Sequence, residues 1–376
     1  MIRELSDRFF VYTTSWGEGM QFLRRNGVTC VEVPPVDVQW GSEGRMAFKK
    51  TVRNLPKFYG SFGLQILRET EIMSSMQPSL VISDSRLSAV IAANLQSVRC
   101  VLVTNQIRVN LPPLKSKMMR FLERVNGESL AAFWNAADVT VVPDLPPPFT
   151  ISEDSLETLR LPRNRYWYVG FFNGHFKDGT VVMTDGSTTS EKSSGVRKKV
   201  FFMISGPSAS RLSLLPKVER AAKLLSTDYE VVVSKGNPAG GSEPERVDGM
   251  TVFEWCPDEE VKKQIAASDL IVSRAGHETI SKVILAGKPA LLIPIPFHGE
   301  QWGNAKKCER LGFAKALDQY SLTSEQLANQ IRLNIEDKSL FKKAFEMKQL
   351  AWSMDGLENT VKVVTWLYND GFVNSD

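Results

Sequence analysis

Residues 273–305 read SRAGHETISKVILAGKPALLIPIPFHGEQWGNA. An apolar run, Leu270–Ser273, enters this stretch. Two small residues, Ala275 and Gly276, then lead into a helical pattern over His277–Ala286 that stops at Gly287. A second apolar run, Ala290–Ile293, opens into Pro294-Ile295-Pro296-Phe297-His298-Gly299-Glu300-Gln301 and a further helical start. Strand, small-residue turn, helix, strand is the unit of a parallel sheet, whose strands are continuous Val, Ile and Leu runs because both their faces are covered.

The same alternation extends in both directions. Candidate strands are Phe9–Thr13, Thr29–Val33, Leu80–Ser83, Cys100–Thr104 and Val139–Val142 in the first half. In the second half they are Val200–Ile204, Tyr229–Ser234, Met250–Phe253, Leu270–Ser273 and Ala290–Ile293. Helical patterns over Pro216–Ser226 and Glu259–Ala267 lie between them. This predicts an α/β protein of two doubly wound, Rossmann-like domains. The proline-rich exit Asp144-Leu145-Pro146-Pro147-Pro148-Phe149 and the polar stretch Lys177–Lys199 place the boundaries. The expected division is a first domain over 1–148, a linker over 149–199, a second domain over 200–345 and a C-terminal segment over 346–376 that packs back on the first domain.

With 376 residues, 46 Lys+Arg and 42 Asp+Glu, the net charge of +4 is too small to imply nucleic acid. All of that excess lies in residues 1–150, which hold 17 basic and 13 acidic residues. Cys30, Cys100, Cys256 and Cys308 form no CxxC, and His175, His277 and His298 make no zinc spacing, so no metal is expected and free thiols suit a reducing compartment. The opening MIRELSDRFF lacks the apolar core of a secretion signal, which gives a cytoplasmic expectation.

Ligands of doubly wound sheets sit beyond the carboxyl ends of strands, where loops enter helices. Four loops qualify. Ser205-Gly206-Pro207-Ser208-Ala209-Ser210 offers small residues and hydroxyls to a phosphate, and is equally readable as a plain strand-to-helix turn. Glu254-Trp255-Cys256-Pro257 offers an indole to a planar base, although packing is the commoner use of such a Trp. The turn Arg274–Thr279 has the form of an anion cradle, and Glu300 and Gln301 suit sugar hydroxyls because each carries several donor or acceptor sites.

The run from Ser273 to Ala305, extended backward through EWCPDEEVKKQIAASDLIVSRAGHET, resembles the donor-sugar signature of GT-B glycosyltransferases, and within them the MurG-like group that transfers N-acetylglucosamine from UDP-GlcNAc. In the first half, LVISDSRLSAVIAANLQSVRCVLVTNQ resembles the acceptor domain. The resemblance implies that Ser208 lies near the diphosphate and that Trp255 and the Cys256 backbone hold the uracil. It implies that Arg274, Ala275, Gly276, His277 and Thr279 form the helix-start site for the diphosphate. Glu300 and Gln301 would bind sugar hydroxyls, with Asn304 supporting that loop. It further implies inverting transfer to a lipid-linked or glycan acceptor by direct displacement. The lack of any Asp-x-Asp pair agrees with a metal-independent reaction whose only small-molecule requirement is the UDP-sugar.

Two departures from the family pattern stand out. Where the family carries a ribose-binding glutamate, three positions after the Thr, this chain has Lys282, which has donors and no acceptor. Glu278, one turn earlier, is a candidate substitute. The chain also opens on Met1-Ile2-Arg3-Glu4-Leu5, which resembles the tail of the helix after the family's first strand and Gly-rich loop, so the first domain is expected to lack both, together with the usual catalytic histidine. A start further upstream, a rebuilt sheet and a complementing second polypeptide are the alternatives. Ser15-Trp16-Gly17-Glu18-Gly19 matches the second strand-to-helix turn better than the missing loop.

In the first half, Asp84 is the best remaining candidate for a catalytic base, its ordinary reading being an N-cap, and Ser85 and Gln106 are acceptor-side candidates. Leu114–Val125 mixes Lys115, Lys117, Arg120 and Arg124 with apolar residues, which suits an anionic membrane surface or an ordinary amphipathic helix. The expectation is therefore a UDP-sugar glycosyltransferase, peripheral on the cytosolic membrane face. The alternatives are a nucleotide-sugar-binding subunit that is inactive without its partner, and a UDP-sugar 2-epimerase. A nicotinamide oxidoreductase is poorer, since no GxGxxG follows any strand.

Overall fold

The computed structural model describes residues 1–36, 48–108, 127–128, 131–157, 166–172 and 197–373. The first half begins with helix α1 (Ile2–Ser6), then β1 (Thr13–Ser15), α2 (Gly17–Arg25) and β2 (Cys30–Glu32), with β1 and β2 paired in parallel. A long helix α3 (Phe48–Met76) leads to β3 (Val81–Asp84), α4 (Leu87–Leu95), β4 (Cys100–Val103) and β5 (Val139–Val142). A short helix α5 (Glu153–Leu156) and β6 (Tyr166–Tyr168) complete it, the strands β3-β4-β5-β6 forming an all-parallel sheet in that order.

Alternation within these strands decides what each face covers. Val101, Val103, Val139 and Val141 pack with Leu5 of α1 on one face, while Cys100, Leu102 and Val142 pack with Val90, Ala93 and Met73 on the other. The first-half sheet is interrupted. Among the described residues no ladder joins β1 to β3, and Arg86, just past β3, reaches across to the Thr14 carbonyl oxygen at 3.0 Å.

The second half holds one sheet of seven strands: β7 (Lys199–Met203), β8 (Glu230–Ser234), β9 (Glu245–Val247), β10 (Met250–Phe253), β11 (Leu270–Ser273), β12 (Ala290–Leu292) and β13 (Ala314–Ala316). Their order is β13-β12-β11-β7-β8-β10-β9, parallel except for β9. Helices α6 (Ser208–Leu225), α7 (Asp258–Ala267), α8 (His277–Ala286), α9 (Gly299–Leu311), α10 (Ser324–Asn334) and α11 (Lys338–Trp352) cover it. Phe201 and Met203 face one core and Val200 and Phe202 the other, so β7 is buried on both sides. Succession runs outward from β7 in both directions, and the strand order reverses between β7 and β11. That is where a doubly wound sheet opens a ligand crevice.

The halves are tied together. The last helix, α12 (Gly356–Val373), places Val361, Val364 and Leu367 against the β4–β5 face of the first half. Leu145, Ile151 and Phe171 of the crossover join the second-half core, and Lys307 of α9 reaches Glu153 of α5 at 2.6 Å.

Three expectations are corrected. The first strand is Thr13–Ser15, not Phe9–Thr13: the Phe9 N–H donates back to the Leu5 carbonyl of α1 at 2.8 Å, which continues the helix end rather than a ladder. The helix expected over Pro216–Ser226 starts eight residues earlier at Ser208 and carries Pro216 inside it. The short strands β6, β9 and β13, together with the 29-residue α3, are additions. The basic segment Leu114–Val125, His175 and most of Lys177–Lys199 lie outside the described residues. Among those described, no helix is long and apolar enough to cross a membrane.

Candidate active site

Two loops meet at the reversal point. The loop after β7 carries Gly206, whose φ of +103° is open to glycine; a Cβ there would crowd Ile295 from the loop after β12. The turn after β11 carries Ala275 and Gly276, and around Gly276 a Cβ would meet nothing within 4 Å. Both loops run straight into helices.

The starts of α6, α7 and α8 differ from those of α9, α10 and α11. α6 begins after Pro207, α7 after Pro257 and α8 after Gly276, and none has a side-chain cap. α9, α10 and α11 are capped by His298, Thr323 and Asp337. An uncapped first turn directs backbone N–H groups and the positive end of the helix dipole outward, where an anion is stabilised. Ser208 opens α6 and is exposed beside this crevice, and Thr279 lies half-buried on the first turn of α8.

Arg274 is corrected. The resemblance puts it among the diphosphate ligands, but its side chain turns into the protein and is 1% exposed. The guanidinium donates to the carbonyls of Ile293 (3.0 Å), Pro294 (3.4 Å) and Ser210 (2.6 Å) and to Gln319 Oε1 (2.7 Å). With neutral acceptors and no carboxylate among these partners, burial pulls its pKa down to about 10. Arg274 thus pins together the loops after β11 and β12 and the start of α6.

The His277 imidazole also turns inward. Its Nε2 lies 3.1 Å from Asp144 Oδ2, off the line a hydrogen bond needs, and its ring meets Phe171 edge-on. Asp144 is fully buried at the crossover, where its carboxylate accepts from the backbone N–H groups of Leu145, Ile151 and Ser152 and from the Ser152 hydroxyl. At the crevice, therefore, His277 contributes its position on the helix start, while its ring braces one half against the other.

The loop after β12 is internally tied. Gln301 is buried and its Oε1 accepts from Ile295 N–H at 3.0 Å, so that oxygen already has its donor. Asn304 donates to the Ala275 carbonyl (3.2 Å) and to Glu300 Oε1 (3.4 Å), joining this loop to the α8 turn and aiming the half-buried Glu300. On the opposite flank Trp255 keeps 39% of its surface exposed and Cys256 is buried, its thiol pushed up to about 12 by burial. Beside them Glu254 accepts from Lys235 at 2.8 Å, an ion pair that raises the lysine and lowers the carboxyl. Lys282 lies half-buried between Glu278 and Asp258.

In the first half, Asp84 ends β3 with its side chain exposed, and crowding by the protein raises its pKa while Arg86 opposes the rise. Ser85 takes a φ of +51° and donates toward Thr104 Oγ1 at 3.2 Å. Gln106 donates from Nε2 to the Arg108 carbonyl. Around Asp84 lies a group that sequence reading missed. Glu69, 2% exposed, pairs with Arg86 at 3.1 Å; Thr14 touches both; and the Arg86 guanidinium sits 5.8 Å from the centre of the Trp16 ring. The available signal was a polar residue on the buried stripe Gln65, Glu69, Met73 of α3. Among the described residues no cluster of three or more His, Cys, Asp or Glu has the makings of a metal site.

Residues 203–355 match the glycosyltransferase family 28 C-terminal domain, and this span contains the whole crevice. The chain has the GT-B fold and carries a glycosyltransferase domain. Over 350 residues it is 25% identical to an uncharacterized glycosyltransferase of Methanosarcina mazei, covering 91% of this chain and 87% of that one. Over 147 residues it is 29% identical to the UDP-N-acetylglucosamine--N-acetylmuramyl-(pentapeptide) pyrophosphoryl-undecaprenol N-acetylglucosamine transferase of Clostridium novyi, covering 38% and 41%. In overall fold the enzyme resembles the solved glycotransferase of kitacinnamycin, with a TM-score of 0.66 at 14% identity and coverage of 97% and 93%.

Proposed function

We propose that this glycosyltransferase moves N-acetylglucosamine from UDP-GlcNAc to a hydroxyl of a lipid-linked or glycan acceptor, with inversion at the anomeric carbon and without a metal. The observation that carries the nucleotide-sugar half of this reading is the crevice between β7 and β11, where the uncapped starts of α6 and α8 lie, with an exposed indole on the loop after β10 of the same sheet. The sugar and the lipid-linked acceptor are suggested by the Clostridium novyi relative, whose name includes both.

In this mechanism the starts of α6 and α8, with Ser208 and Thr279, stabilise the charge that develops on the departing diphosphate. The face of Trp255 covers the uracil, and the Cys256 backbone reads its edge. Glu300, aimed by Asn304, accepts from sugar hydroxyls, and Gln301 keeps that loop in place. Asp84 removes the proton from the acceptor hydroxyl, and its raised pKa makes it a better base than an ordinary aspartate. Ser85 and Gln106 line the acceptor side. The acceptor is met at the cytosolic membrane face, toward which the basic excess of residues 1–150 is suited.

The test is transfer of label from UDP-GlcNAc to a polyprenyl-linked acceptor in the presence of EDTA, with product anomer determined by NMR. Transfer with inversion supports the reading. Binding of UDP without transfer to any acceptor favours the alternative of a nucleotide-sugar-binding subunit that needs a partner, and absence of UDP binding overturns both.

A further inference from the structure

The loop after β12 holds a residue that folding alone does not explain. Phe297 takes a φ of +61°, the left-handed region that a bulky side chain rarely adopts, and its side chain is 47% exposed. The other non-glycine residues with positive φ among those described are Gln77, Ser85, Ser97 and Asp248, all polar. Such a backbone costs stability, and a ring left half in water offsets little of that cost. Glycine would suit the turn better. A strained residue kept beside a ligand crevice points to a task outside the fold itself.

A second ring marks the same place. Tyr320, in the loop after β13, is 52% exposed and meets Phe297 edge-on, with ring centroids 5.7 Å apart. Both loops leave the carboxyl edge of the sheet, and both are anchored beside the rings. Gln319, next to Tyr320, accepts from Arg274 at 2.7 Å. Ile295, two residues before Phe297, donates its N–H to Gln301 Oε1, and its side chain borders Gly206 in the loop after β7. The buried network that fixes the crevice loops therefore also fixes the two rings. Along the strand order β10-β8-β7-β11-β12-β13, the Trp255 indole and the uncapped helix starts come first, Glu300 follows, and the ring pair is last.

A hexopyranose has two kinds of surface. Its hydroxyl edge suits a carboxylate such as Glu300, three residues after Phe297 on the same loop. Its ring carbons present an apolar C–H face that packs against an aromatic ring, as apolar walls with a few placed polar groups do in small-molecule sites. We propose that Phe297 and Tyr320 form an aromatic platform for the C–H face of the hexose carried by the nucleotide. This rests on the nucleotide-sugar reading above. On this assignment the rings act on the sugar and not on the nucleotide.

Isothermal titration of the full chain with UDP, UDP-GlcNAc and UDP-glucose tests it. Phe297→Gly and Tyr320→Ala are each expected to weaken both UDP-hexoses about fivefold to fiftyfold and to leave UDP within about twofold. Phe297→Tyr, which keeps a ring, is expected to retain the wild-type affinity for all three. Because glycine takes this backbone without strain, Phe297→Gly is expected to melt at or above the wild-type temperature. Variants that lose UDP and the UDP-hexoses alike, or lose neither, overturn the proposal, as does a Phe297→Gly variant that melts well below wild type. Wild type that binds UDP and neither UDP-hexose also overturns it. Failure of wild type to bind any of the three overturns the nucleotide-sugar reading itself, a separate outcome.

Discussion

Replacing Arg274 by methionine separates a residue that holds the donor loops together from one that touches the ligand. Methionine retains an unbranched stem but supplies no donor. The bonds to the Ile293 carbonyl, Gln319 Oε1 and the Ser210 carbonyl, at 3.0, 2.7 and 2.6 Å, are all lost. Hydrogen bonds to a charged partner contribute about 1.5–3 kcal/mol each, so three are worth roughly 5–9 kcal/mol. Against this, a guanidinium held at a pKa of about 10 carries a desolvation penalty of about 3 kcal/mol, which methionine removes. The net loss is about 2–6 kcal/mol, and at ~2–4 °C per kcal/mol for a unit of this size the melting temperature falls on the order of 10 °C. Circular dichroism melts of the unliganded protein read the stability, and titration with UDP reads the site. A variant that melts like wild type but binds UDP tenfold more weakly would refute the reasoning, because that is the signature of a direct ligand contact.

Four further outcomes are expected. Asp84→Asn lowers kcat by about 10²–10⁴, as loss of a general base does; in the wild-type enzyme, activity rises as Asp84 deprotonates, so the acid limb of the kcat/KM profile lies above the ordinary aspartate range. Arg86→Met moves that limb to still higher pH, because removing a neighbouring cation disfavours the carboxylate. All four cysteines are buried, and Cys100 and Cys256 are pushed up to about 12, so iodoacetamide at pH 7.5 modifies the native protein slowly and the urea-unfolded chain at four sites, as counted by intact mass. UDP at a hundred times its Kd stabilises the native state by about 2.7 kcal/mol, visible as a rise in melting temperature.

The second-half sheet was legible wherever aliphatic runs are long. Val139–Val142 in the first half, and Met250–Phe253 and Leu270–Ser273 in the second, form strands with the bounds their sequences suggest, and His277–Ala286 ends at Gly287, whose φ of +68° is the left-handed turn that glycine makes easy. The three-residue edge strands β6, β9 and β13 are too short to register as periodic. α3 was hidden because Gly60 and Gly63 weaken its helical pattern. In the site, sequence identified the loops but not the direction of their side chains. An arginine after a strand reads as a ligand for phosphate, and only the placement of Gln319, 45 residues onward, reveals that its head lies inside. Glu69 and Arg86 meet because α3 packs along α4, whose N-cap is Arg86, a contact no local spacing records.

The break between β1 and β3 bears on how the molecule opens. β1 and β2 are three residues each and share one ladder, a unit that is marginal when isolated in water. Its polar links to the rest of the half include Arg86 on Thr14, Thr14 on Glu69, and Gln65 on the Pro34 carbonyl. Such a unit opens at a free energy below that of global unfolding. Its amides are expected to exchange with deuterium earlier than those of β4 and β5, whose faces are covered on both sides. Because Thr14 and Trp16 border Asp84 through Arg86, each opening disturbs the region proposed above as the acceptor side while the crevice between β7 and β11 stays folded. On that proposal, the protein holds its donor through excursions in which no acceptor is engaged.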